Sequence, residues 1–142
     1  MKEAEGMWKA VQEHLGYSDG EMEMFRKNPG NGKILSRLGE IDGKTIVFEV
    51  IESKACNSGH KAGDRFYFDF AGNLLTKKNP AKVCIYAIQA MLPAIFAANE
   101  MFYAGADPNG MVFRAAGCFD VGVKCGGGGR IVVRFSLEDR NK

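Results

Sequence analysis

The sequence has no CxxC pair, no basic block longer than Lys77-Lys78 and no apolar signal-peptide core near its start. Each absence narrows the reading. Without CxxC, the usual zinc signatures and the dithiol redox motif fall away. With the basic residues dispersed and a net charge of only +2, no nucleic-acid partner is expected. The opening MKEAEGMWKAVQEHLG carries acidic residues early and lacks a hydrophobic region. The expectation is a cytoplasmic protein in a reducing compartment, where its four cysteines are thiols or metal ligands rather than disulfides. There is no Pro/Ser-rich linker and no internal repeat.

Two nucleotide-binding motifs also fail. Residues 28–34, NPGNGKI, have the look of a phosphate loop. That loop needs a glycine five residues before Gly32, where Lys27 stands, and Ser or Thr after Lys33, where Ile34 stands. The reading is an interhelical turn. The run Gly126 to Gly129 has no helix after it, so it is no dinucleotide loop. It reads as a mobile hairpin end, or a lid carrying Cys125.

What is present fits one domain with a real core. The 142 residues are 46% hydrophobic and 25% charged, ordinary values for a globular chain. The stretch 81–103, AKVCIYAIQAMLPAIFAANEMFY, organises the rest. Between Val83 and Ala98 only Gln89 is strongly polar, which predicts a helix covered on most sides. Pro93 predicts a kink or a break, because it removes a backbone donor and crowds the Gln89 carbonyl. Gln89 and Pro93 interrupt the apolar run short of the ~20 residues that a membrane span needs, so no membrane partner is expected.

Upstream, Met7, Val11 and Leu15 predict an amphipathic helix over residues 4–15, stopped at Gly16. His14 falls on its polar side. Ser18 and Glu21 form a capping box for a helix from Asp19 to about Lys27. Asn28 to Gly32 break it, and one more turn follows over residues 34–38. Alternating apolar residues predict strands over residues 45–52, 65–70, 111–118 and 130–137. The expected fold is α+β: an antiparallel sheet of about four strands, in ββαββ order, on one long helix. A helical extension over residues 1–44 is expected to pack on this domain of residues 45–142.

The chemistry-bearing residues are Cys56, His60, Cys84, Cys118 and Cys125. Cys56-x3-His60 lies in a loop between strands, Cys84 opens the long helix and Cys118 ends a strand. Thiolates and an imidazole suit zinc or iron, and a loop, a strand end and a helix N-terminus can meet at one end of such a domain. A helix N-terminus would also favour a thiolate at Cys84. The same residues also read plainly as buried cysteines and an exposed loop histidine. Lys61 and Asp64 are either substrate-facing or a local turn pair, and Asp120 is a ligand, an acid–base group or a turn residue.

The pattern Cys56-x-x-Gly59-His60-Lys61-x-Gly63-Asp64-x-Phe66, then Cys84 with Ala87, Ile88 and Pro93, then Cys118-x-Asp120, resembles a family of small uncharacterised bacterial and archaeal proteins. Many come from anaerobes. The match spans residues 46–137, and the helical preface resembles an extension found in some members. The resemblance implies that Cys56, Gly59, Lys61, Gly63, Asp64, Cys84, Pro93 and Cys118 belong to the family pattern, and that the thiols share a site. Cys125 and the glycines beside it are less typical. No activity comes with the resemblance.

Three functions are therefore open. One is a metal-dependent enzyme or enzyme subunit acting on a small oxygenated metabolite, with zinc or iron on Cys56, His60, Cys84 and Cys118, and with His60, Lys61 and Asp64 as catalytic candidates. Another is a non-catalytic, metal-stabilised binding module or an accessory subunit of a larger enzyme complex. The third is a thiol redox protein. A homo-oligomer is expected to cover apolar surface at Met101, Phe102 and Tyr103.

Overall fold

The computed structural model describes residues 2–140, and the chain divides into two compact units, Met1–Asp42 and Gly43–Lys142. The first is helical: α1 (Lys2–Leu15), α2 (Asp19–Lys27), α3 (Pro29–Ser36) and the short α4 (Leu38–Ile41). The capping box forms as the sequence predicts. The Ser18 N–H donates to the Glu21 carboxylate at 2.8 Å, and the Glu21 N–H donates to the Ser18 hydroxyl. Trp8 meets Phe25 edge-on at 6.2 Å, and Arg26 lies over Trp8 while pairing with Glu5 at 2.7 Å.

Residues 28–32 differ from expectation. Asn28 ends α2 and also caps α3, its side chain accepting the Gly30 N–H at 3.0 Å. Pro29 occupies the first helical position, where a missing N–H costs nothing. The expected interhelical turn is thus the first turn of a helix.

The second unit is α+β, with β1 (Lys44–Lys54), β2 (Arg65–Asp69), α5 (Ile85–Tyr103), β3 (Ala115–Gly117) and β4 (Arg130–Asp139). The sheet runs β2-β1-β4-β3, with every pair antiparallel. Its apolar face is set by alternation along β1. Ile46, Phe48 and Val50 stand opposite Phe68 and Phe66 on one side, and opposite Leu137, Phe135 and Val133 on the other. Phe48 contacts Phe68 and Phe135 edge-on at 6.0 and 5.7 Å. Helix α5 covers this face with Ala87, Met91, Ile95, Ala98 and Phe102, all buried. The opposite face is mixed, with Thr45 and Val47 buried beside charged and polar side chains. There Arg65 pairs with Glu138 and lies 5.6 Å over Tyr67. Partial burial opposes the Arg65 charge, but Glu138 and Tyr67 outweigh it and raise its pKa.

Helix α5 departs from the sequence reading in two ways. It runs unbroken through Pro93. Gln89 and Pro93 are both exposed, so water reaches the carbonyl that proline leaves without a donor. It is also covered on one side rather than on most.

Strand β3 is shorter than the expected 111–118. The side chain of Asn109 donates to the Leu137 carbonyl at 3.0 Å and accepts the Leu137 N–H at 2.9 Å. It therefore holds the β4 edge that a longer β3 would use, and Val112 and Phe113 stay exposed. Asn79 does the same on β2, bonding the N–H and carbonyl of Tyr67 at 3.0 and 2.8 Å.

The glycine-rich connection is tied down rather than open. The Asp120 carboxylate accepts the N–H groups of Gly122 at 2.7 Å and Gly128 at 3.0 Å, around a 3-10 turn at Val123–Cys125. Gly129 lies so close to the Ala55 carbonyl that a Cβ would overlap it.

Gly129→Ala should therefore destabilise the chain by about 1–3 kcal/mol, the usual cost of overpacking, read from chemical denaturation midpoints. Bonds from Ser18 hold the Glu21 carboxyl below its ordinary value of 4.5, and bonds from Arg26 do the same for Glu5. A lowered carboxyl pKa adds stability above that ordinary value, and the gain is lost as pH falls through the lowered one. The Glu21→Gln, Glu5→Gln double variant should melt at a lower temperature than the unaltered chain at neutral pH. The difference should shrink as pH falls from 4.5 through the lowered carboxyl values.

Candidate functional site

The ends of several elements meet at one end of the sheet. A bulge at Ile51 shifts the β1 register between Val50 and Glu52, which turns Ser53 to the apolar side opposite Ile131. The Ser53 hydroxyl donates to the His60 carbonyl at 2.6 Å. Cys118 continues β3 beside Ile131, its N–H donating to the Ile131 carbonyl at 3.0 Å and its Sγ accepting the Ile131 N–H at 3.4 Å. One residue on, Phe119 stacks on Tyr86 in the first turn of α5 at 6.0 Å. Cys84 is the N-cap of α5 and makes no side-chain cap bond. Cys56 follows Ala55, the residue that Gly129 touches.

His60 is the buried member of this group, 4% exposed rather than the open loop residue it also resembled in sequence. Its ring meets Phe66 edge-on at 4.9 Å. Nδ1 lies 4.0 Å from the Asp64 carboxylate, too far for a hydrogen bond. Nε2 is buried with no partner. Asp64 is occupied with its own turn, accepting the Lys61 N–H at 2.8 Å. Lys61 is exposed. Of the three catalytic candidates, His60 and Asp64 thus face each other, and Lys61 joins them only through its backbone.

The thiols share this end without sharing a centre. Among the described residues, no three His, Cys, Asp or Glu side chains form a group able to hold a metal ion. The ligand set Cys56, His60, Cys84 and Cys118 is not assembled. Cys118 spends its Sγ on a backbone bond, Cys84 sits at a helix cap, and Cys125 is exposed on the far turn of the Asp120 loop. Asp120 takes the turn role among the three open to it.

The larger feature of this unit lies on the outside of α5. Ile85, Tyr86, Leu92 and Phe96 are 71, 55, 62 and 66% exposed, and Phe119 beside Tyr86 is 70% exposed. The residues expected to be uncovered are not the ones that are. Phe102 is buried and rings with Phe70 at 4.7 Å, while Met101 and Tyr103 are half-buried. The signal was in the spacing. Ala87, Met91, Ile95, Ala98 and Phe102 form one stripe of steps of three and four, and Ile85, Gln89, Leu92 and Phe96 form a second. The sheet covers only the first. By length and composition α5 is also the one described helix able to span a membrane, although its first stripe is packed on the sheet.

No family model, curated protein or solved structure matches the chain.

His60→Phe keeps the ring contact with Phe66 and the carbonyl bond to Ser53. It removes a buried, unpartnered nitrogen, so the variant should be neutral or more stable by about 1 kcal/mol. A denaturation midpoint showing a loss of ~2 kcal/mol or more would mean that Nε2 is bonded in the working protein.

Proposed function

We propose that this chain is a small binding module, an accessory or self-associating subunit that works through the outer face of α5. One observation carries the reading: Ile85, Tyr86, Leu92 and Phe96 stand more than half exposed on a helix whose opposite stripe is already buried, and Phe119 extends the patch beside Tyr86. Apolar patches beyond a few hundred Å² are uncommon on monomers and mark sites of association. In extracts of cells that make the protein, the 15.5 kDa chain should elute from gel filtration well above its monomer mass. The Leu92→Glu, Phe96→Glu variant should elute as a monomer. Unaltered chain eluting as a monomer would sink the proposal.

A second reading is favoured by the unpartnered Nε2 of His60. Imidazole and thiolate together suit zinc or iron, and an ion at that nitrogen would draw in Cys56, Cys84 or Cys118 from the same end. Asp64 and Lys61 would then be the nearest acid–base groups for work on a small oxygenated metabolite. Metal analysis of protein purified without oxygen or chelator tests this. Near-stoichiometric zinc or iron, lost with His60→Phe and Cys118→Ser but kept with Cys125→Ser, is the expected result. Metal-free protein in every preparation would return these thiols to structural roles.

A further inference from the structure

We infer that the partner on the outer face of α5 is a second copy of this chain, its α5 packed antiparallel about a twofold axis midway between Gln89 and Leu92. This rests on the reading of that face as the working surface. The first support is spacing. Ile85, Gln89, Leu92 and Phe96 recur at steps of four, three and four, the seam that a second helix fills with its own side chains. A twofold contact places the same stripe on both sides, and this stripe is symmetric about the midpoint between Gln89 and Leu92, so that Ile85 faces Phe96 and Gln89 faces Leu92 of the second copy.

Charge is the second support. From Ile85 to Asn99 the helix has no Asp, Glu, Lys or Arg, so two copies meet without like-charge repulsion. A different partner would usually be selected by charges across the contact, and this stripe offers none. The one charge on α5 falls where an antiparallel twin can use it. Glu100 is exposed one turn beyond Phe96. With the axis between Gln89 and Leu92 it lies just beyond the N-terminus of the partner helix, whose amides carry partial positive charge. Cys84 leaves those amides without a side-chain cap.

Size is the third. The five exposed side chains offer on the order of 600 Å² per copy, so a pair would bury about 1,200 Å², the lower bound for a specific interface.

Sedimentation of the purified full chain at micromolar concentration should show a dimer. Leu92→Glu and Phe96→Glu, each checked for native circular dichroism, should weaken it about 30-fold or more. The Gln89→Cys, Leu92→Cys double variant should give a disulfide-linked dimer under mild oxidation, because the two positions face each other across the axis, while Glu21→Cys should not. A monomer at ~100 µM, far above the range of specific homodimers, overturns the inference. So does a dimer indifferent to both glutamates. If the purified chain is monomeric but runs large in cell extract in a Leu92-dependent way, a different protein occupies the face, and only the second-copy inference fails. Monomer in both settings removes the module reading as well. Leu92-dependent flotation with phospholipid vesicles would assign the face to a membrane and also overturn the second copy.

Discussion

Phe48 sits between Phe68 and Phe135 in the middle of the aromatic face of the sheet, and that face requires a cover. Helix α5 supplies it. Much else in the second unit follows from that one layer of contact. The helix must run the length of the sheet, from Cys84 near the end of β3 to Phe102 beside Phe70. The chain must then return through residues 104–114 to add β3 and β4. Because the one stripe from Ala87 to Phe102 is enough to cover the sheet, the remaining apolar residues of α5 are left facing out. A helix this apolar is under-used by a four-stranded sheet.

Around that core the backbone is finished by side chains rather than by more strands. Ser53 satisfies the His60 carbonyl, Asp64 closes the Lys61 turn, and Asp120 gathers two glycine N–H groups. Each is a short polar side chain standing in for a ladder bond. They explain how a loop with four consecutive glycines holds a defined course. They also explain why so few polar groups at that end remain free. Nε2 of His60 stands out there as a buried side-chain nitrogen without a hydrogen-bond partner.

The sequence was readable where structure is local. Ser18 with Glu21 fixed the start of α2 because a capping box closes within four residues. The alternation in TIVFEVIE was enough for β1, since the period belongs to the strand itself. The extent of β3 was not readable, because Asn109 reaches across to Leu137 and no nearby residue announces it. The coverage of α5 was not readable from its hydrophobicity, which says that a helix wants cover without saying from what. Asn28 was misread because one residue serves two helices, and a break and a cap look alike in sequence. The cysteines could be assigned to elements and even to one end of the sheet. Whether their sulfurs converge depends on distances of a few ångströms, which spacing does not encode.

The two asparagine amides on the sheet have a bearing on how this protein fails as well as how it works. An open strand edge is a template on which a second chain can add, and repeated addition leads to fibrils. Asn79 occupies the outer edge of β2 at Tyr67, and Asn109 occupies that of β4 at Leu137. Each amide offers a donor and an acceptor in the geometry of a neighbouring backbone, then stops, because a side chain has no further residue to extend. Growth by strand addition is blocked at both positions, while the helix face stays open. The fold thus puts its exposed apolar surface on a helix, which offers no backbone ladder to extend, and not on a strand edge.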